Sequence, residues 1–95
     1  MAYKPLNPPP LVRDKDAQEV MRAAVLGQEL HFSLMRGFAD PAAWGLVFVD
    51  AARHVARIYA TEDKFREDET LERIRAIFDS EMDAPSDPGT TSAIS

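Results

Sequence analysis

Apolar and polar residues alternate along the middle of the chain with the period of an α-helix. The large apolar residues recur at spacings of three and four, which at 100° per residue places them on a stripe of about 120°. This apolar stripe consists of Trp44, Val47, Phe48, Ala51, Val55, Ile58 and Tyr59. Asp40 followed by Pro41 is a favourable helix start, because Asp caps free N–H groups and Pro has none to satisfy. The pattern predicts a central helix over residues 41–61.

The side of this helix next to the apolar stripe carries small residues, which let another backbone approach closely. They are Gly45, Ala52, Ala56 and Ala60. A second interpretation exists for residues 45–49, whose sequence Gly-Leu-Val-Phe-Val has high β propensity and would pair with residues 29–36 as a hairpin. The Asp-Pro start and the helical period through Tyr59 favour the helix.

Two further helices are predicted on either side of this one. Residues 16–27 begin with Asp16 and Glu19 at the spacing of a capping box, and Gly27 is a natural C-terminal stop. Residues 67–82 have an acidic start that complements the helix dipole, and Pro85 prevents continuation. The apolar positions of this last helix are Leu71, Ile74, Ile77, Phe78 and Met82.

Between the first two helices the period changes to two. Leu30, Phe32 and Leu34 alternate with polar residues, which is typical of a half-buried strand over residues 29–36. The sequence therefore predicts a mostly helical α+β protein with three helices and one strand. We expect an extended Pro-rich arm over residues 1–13, one small domain over 14–83 and a disordered tail over 84–95.

A single strand is not stable by itself, because its backbone N–H and C=O groups need a partner. We therefore predict a homodimer in which the strand at 29–36 pairs with its copy about a two-fold axis. The alternative is a monomer in which the N-terminal arm supplies the second strand through Leu11 and Val12. A folding unit of roughly 70 residues without disulfides also favours association.

Composition excludes several classes of function. The chain of 95 residues has no cysteine, which rules out disulfides and thiol chemistry. Residues 61–95 carry four basic and ten acidic side chains, a net charge of −6, so phosphate backbones should be repelled and no nucleic-acid partner is expected. We find no signal peptide and no apolar run of membrane-spanning length, and we expect an intracellular, cytoplasmic, soluble protein without a membrane partner.

One group of polar residues on the central helix is a candidate ligand-binding site: Asp50, Arg53, His54 and Arg57. Asp50 and His54 are four residues apart on one face, and a carboxylate beside an imidazole can orient it for proton transfer. Charged pairs at this spacing are also common on ordinary helices, and we assign no catalytic residue. His31 with His54 and a carboxylate is a weak metal candidate, so no metal site and no cofactor are assigned.

The central helix and its flanks resemble a family of small uncharacterised proteobacterial proteins classed as a domain of unknown function. The resemblance rests on Trp44-Gly45, on Asp50, and on Arg53-His54-Val55-Ala56-Arg57 with Tyr59, and it extends over residues 16–85 through 30–34 and 71–75. It implies a bacterial cytoplasmic protein and brings no activity. We therefore predict a non-enzymatic interaction or oligomerisation module with an unidentified protein partner; the alternative is a protein, even a minor enzyme, that binds a small ligand or anion through the four polar residues.

Overall fold

The computed structural model of the chain describes residues 2–13 and 15–86 in full and the backbone of residues 90–93. A 3-10 turn at Pro10–Val12 precedes two strands, β1 (Met21–Leu26) and β2 (Glu29–Leu34). Two long helices follow, α1 (Ala43–Glu62) and α2 (Glu67–Asp83), and the last element is β3 (Thr90–Ala93). The predicted disordered tail over residues 84–95 falls partly outside the described ranges. Of its described residues, 90–93 form β3.

β1 and β2 form an antiparallel hairpin joined by the two-residue turn Gly27-Gln28. Gly27 has φ +62°, the left-handed value that a II′-type hairpin turn requires at its first position. Directly opposed residues share a face of the sheet. One face is therefore entirely apolar, with Met21, Ala23, Val25, Leu30, Phe32 and Leu34. The other face is mixed, with Arg22, Ala24, Leu26, Glu29, His31 and Ser33.

The predicted architecture of three helices and one strand is wrong, because residues 16–27 contain a strand instead of the first helix. Glu19 does not cap a helix; it binds Arg22 in a two-pronged contact of 2.9 and 3.2 Å. Alternation along β1 is hidden in the sequence because Ala24 and Leu26, on the mixed face, are also apolar. Pairing with β2 overrides the helix propensity of this segment.

The predicted partner of the strand at 29–36 is also wrong. β2 is the central strand, paired antiparallel with β1 and parallel with β3, so both of its edges are occupied. It therefore has no free edge for a second copy of itself. The N-terminal arm does not supply the neighbour either, since Leu11 and Val12 lie in the 3-10 turn.

α1 and α2 form an antiparallel helical hairpin that packs through the small-residue side of α1. Ala56 is fully buried there, and Thr70 on α2 is buried while its hydroxyl donates a hydrogen bond of 2.8 Å to the carbonyl of Arg66. The turn leading into α1 is capped by Asp40, whose carboxylate accepts a hydrogen bond of 3.0 Å from the N–H of Ala42. The competing strand over residues 45–49 is absent, because these residues lie within α1.

The segment between β2 and α1 joins the two hairpins. The indole N–H of Trp44 donates a hydrogen bond of 3.0 Å to the carbonyl of Arg36, and its ring contacts Phe38 edge-on at 5.5 Å between centroids. Elsewhere the two hairpins stay apart: within the described residues, no Cα of a strand lies within 8 Å of a Cα of a helix. Trp44 therefore fixes the start of α1 to the segment that follows β2.

Because sheet and helices do not cover each other, most large apolar side chains remain in contact with water. Ala56 is the one buried apolar residue within the described part of the chain. On the hairpin Val25 is 71% exposed and Leu30 is 50% exposed, and on α1 Ile58 is 50% exposed. None of the helices among the described residues is long and apolar enough to cross a bilayer.

Candidate functional site

The four polar residues predicted as a site lie on one exposed flank of α1, between the apolar stripe and the side that packs on α2. Asp50, Arg53, His54 and Arg57 follow one another at spacings of three and four, and all four side chains are exposed. Their arrangement follows directly from the helical register, which the sequence already contains. The structure therefore brings them to one surface but does not enclose them.

The contacts of this polar flank are few. Nε of Arg57 lies 3.9 Å from a carboxylate oxygen of Glu67 at the start of α2, an exposed pair of the kind that contributes little to stability. Within the described residues, the side chains of Asp50, Arg53 and His54 form no hydrogen bond and no ion pair. Asp50 does not hydrogen-bond His54, so this carboxylate does not orient the imidazole as a general base requires.

One of the four residues, Arg53, lines a groove between the two helices. It borders this groove of about 290 Å³ together with Arg75 and Asp79 of α2. Asp50, His54 and Arg57 do not line this groove. That the four residues bind a ligand together stays a prediction.

Arg75 and Asp79 were not recognised as candidates from the sequence. They are four residues apart, so they lie on the same face of α2, and in the sequence they look like ordinary solvent-exposed charges. Only the antiparallel packing of α2 on the small-residue side of α1 places them beside Arg53.

His31 lies on the mixed face of the sheet, directly opposite Ala24. Its Nε2 is buried and has no hydrogen bond, and it lies 3.6 Å from a carboxylate oxygen of Glu29, which would pair with the protonated imidazole. Within the described ranges, no three side chains of the metal-ligating types come together.

A second cleft, of about 1090 Å³, lies between the N-terminal arm and β1. One Nη of Arg22 donates a hydrogen bond of 3.0 Å to the hydroxyl of Tyr3, which ties the arm to the strand. This hydrogen bond, and the neighbouring Glu19 carboxylate, raise the pKa of the Arg22 guanidinium. The Tyr3–Arg22 contact joins residues 19 positions apart and had no signal in the sequence pattern.

Comparison with known proteins adds a structural likeness. None of the curated proteins compared matches the chain. Among solved structures, the chain is similar to a protein described as a putative pyruvate dehydrogenase from the photosynthetic bacterium Rhodopseudomonas palustrus CGA009. The two chains are 46% identical over 99% of this chain and 98% of the other, with a TM-score of 0.79. That description belongs to the other protein and assigns no role to any residue here.

A family also matches the sequence directly. Its description is "Domain of unknown function (DUF5076)", and the match covers residues 5–86, which include the β-hairpin and both helices. The resemblance seen at the central helix is confirmed. The chain belongs to this family of unknown function.

Proposed function

We propose that this chain is a non-enzymatic interaction module that associates with a second copy of itself through the apolar stripe of α1. The observation that carries the proposal is the contrast between two sides of α1. The small-residue side is occupied by α2, whereas the large apolar side chains Val55, Ile58 and Tyr59 remain 39%, 50% and 47% exposed. Monomeric proteins rarely leave a continuous apolar surface of this kind in water.

The overall dimensions support association. The chain exposes 8618 Å², whereas a folded monomer of 10.6 kDa is expected to expose about 5500 Å². Its radius of gyration is 15.0 Å, compared with about 12 Å for a compact domain of this length. The extended arm accounts for part of the excess surface of about 3100 Å². Two copies together carry an excess of about 6200 Å², which exceeds the roughly 2000–5000 Å² that the two partners of an obligate homodimer bury in total, so a contact of that size would cover a large part of it.

The local charge does not oppose a second copy as the occupant of the stripe. Residues 28–60, which contain all of the stripe, carry three basic and three acidic groups, so two copies of this region do not repel each other. The same chain also has a second open apolar surface, the Val25 and Leu30 face of the hairpin, that needs a covering layer. Association of copies would cover both apolar surfaces with apolar side chains of another copy. A bacterial, cytoplasmic setting and a further protein partner belong to the same proposal.

Light scattering on the full chain tests this proposal. We expect a mass of at least twice 10.6 kDa at micromolar concentration. Val55→Glu, which places a charge in the middle of the stripe, should shift the mass to that of one chain. His54→Glu introduces the same charge at the adjacent position, on the polar flank, and should leave the mass unchanged. A wild-type mass of 10.6 kDa contradicts the proposal.

A labelling experiment guards against the possibility that Val55→Glu simply fails to fold. Since the chain has no cysteine, Val55→Cys and His54→Cys each introduce a single thiol. We expect the thiol at position 55 to react with a maleimide much more slowly than the thiol at position 54, and the difference should disappear in denaturant. Equal rates under native conditions would show that the stripe is open to solvent.

A further inference from the structure

The groove between α1 and α2 combines an apolar floor with charges of both signs. It lies toward the start of α1 and the end of α2, with a volume of about 290 Å³. Its floor is formed by Phe48, Val49, Ala52, Leu71, Ile74 and Phe78. Small-molecule sites are typically apolar concavities with a few polar groups that fix orientation. The volume is at the lower end of such sites and suits a small ligand.

The charged groups of the groove differ in whether they are already paired. Arg75 lies 3.6 Å from a carboxylate oxygen of Glu72, so its charge is partly compensated. Within the described part of the chain, the side chains of Arg53 and Asp79 form no hydrogen bond and no ion pair. The groove therefore offers one uncompensated guanidinium and one uncompensated carboxylate beside the same apolar floor.

We propose that this groove binds a free α-amino acid with an apolar side chain the size of leucine or phenylalanine. The ligand's α-carboxylate accepts hydrogen bonds from the guanidinium of Arg53, whose planar fork matches a carboxylate. Its α-ammonium pairs with the carboxylate of Asp79. Its side chain lies against the floor at Phe48 and Phe78, where apolar burial stabilises the complex.

Charge complementarity selects this ligand class over its simpler relatives. An apolar carboxylic acid would satisfy Arg53 but leave Asp79 without a partner, and an apolar amine would do the reverse. Glycine would satisfy both charges but leave the apolar floor uncovered. Only a zwitterion with an apolar side chain matches all three features of the groove.

Titration calorimetry on the full 95-residue chain tests the proposal with four defined probes. L-leucine should bind saturably with one site per chain. 4-Methylpentanoate lacks the ammonium group and 3-methylbutylamine lacks the carboxylate, and each should bind about tenfold more weakly, since a charged hydrogen bond contributes about 1.5 kcal/mol. Glycine should show no saturable binding. Absence of saturable leucine binding, or equal binding of leucine and its two analogues, overturns the proposal.

Variants of the charged residues complete the test. Arg53→Gln and Asp79→Asn should each weaken leucine binding by about tenfold, and Arg53→Gln should no longer discriminate leucine from 3-methylbutylamine. Arg57→Gln is the matched control, since this arginine is one turn further along α1, contacts Glu67 and does not line the groove. Unchanged leucine binding in both groove variants overturns the assignment.

Association and ligand binding are measured separately. Circular dichroism and light scattering of the groove variants should match those of the wild-type chain, because Arg53 and Asp79 are exposed and lie outside the apolar stripe. A wild-type chain that associates but binds no leucine removes the ligand proposal and leaves the interaction module intact. A chain that binds leucine but remains a monomer removes the interaction module and leaves the ligand proposal intact.

Discussion

The two hairpins of this molecule are stabilised in different ways. The helical hairpin of α1 and α2 buries side chains between its two arms, with Ala56 fully enclosed. The β-hairpin of β1 and β2 has no comparable interior, and its two strands are joined by backbone hydrogen bonds across the Gly27 turn. Both nevertheless keep one apolar surface in water. A hairpin of either kind supplies one layer, and a stable core requires a second layer, which the described part of the chain does not place on either of them.

A larger side chain in the buried contact between α1 and α2 should lower the free energy of unfolding by the largest amount. Ala56→Leu forces additional methylene groups into the fully enclosed space between α1 and α2, and we expect the free energy of unfolding to fall by up to about 3 kcal/mol. Urea denaturation followed by the fluorescence of the single tryptophan, Trp44, measures the change. Ala76→Leu is the control, since Ala76 is exposed on the far side of α2 and should lose almost nothing. Equal effects at positions 56 and 76 would contradict the observed packing.

Alanine substitutions that strain the backbone at the turn of the β-hairpin and just after it should lower the free energy of unfolding by a smaller amount. Gly27 and Gly37 both have positive φ, +62° and +70°, so alanine is strained at either position. An added Cβ at Gly27 meets nothing within 4 Å, and we expect Gly27→Ala to cost about 1 kcal/mol. At Gly37 the Cβ would lie 3.0 Å from Cγ1 of Val20, so Gly37→Ala should cost more. The same urea experiment measures both, and a reversed order would contradict the close approach of residue 37 to the start of β1.

Lowering the pH should have the smallest effect on the free energy of unfolding, and it acts through Asp68 at the start of α2. Hydrogen bonds from the Arg66 guanidinium, and a further one from the N–H of Glu69, lower the pKa of the Asp68 carboxyl. A lowered pKa means that the ionised form stabilises the fold above the ordinary Asp pKa of about 4, and that this stability is lost as pH falls through the lowered value. Arg66→Gln should move the pKa of Asp68 back toward its ordinary value.

Carboxyl-carbon NMR titration of Asp68 gives this measurement directly. Arg75→Gln serves as the control, because Arg75 contacts Glu72 and not Asp68. Since Asp68 is exposed, the change in the free energy of unfolding should be small in both variants. An Asp68 that titrates at the ordinary value in the wild-type chain would contradict the hydrogen bonds seen at the helix start.

The two helices were predictable because their signals are long and redundant. α1 combines the Asp40-Pro41 start with twenty residues of helical period, and α2 combines an acidic first turn with Pro85 beyond its end. β1 was not predictable because its residues are good helix formers and Gly27 suits a helix end as well as a hairpin turn. The strand exists because β2 lies beside it, and that contact is not visible in either segment alone.

The candidate site likewise has one feature that the sequence predicts and one that depends on the tertiary structure. The register of α1 places Asp50, Arg53, His54 and Arg57 on one flank, and this follows from spacing alone. Which of them borders a cavity depends on where α2 packs. Arg53 borders the groove, and the oppositely charged Asp79, which lines the same groove, lies in α2, 26 positions further along the chain. A pairing between elements is a tertiary property that local patterns do not contain.

The sequence by itself determined that α1 has two distinct sides, one of small residues and one of large apolar residues, because side-chain size and helical period are local properties. Only the tertiary structure decided which side α2 occupies. It packs on the small residues, because the absence of bulky side chains lets two helix backbones approach closely and enclose Ala56. The large side chains of the stripe remain exposed, and they form the surface through which we propose that a second copy of the chain associates.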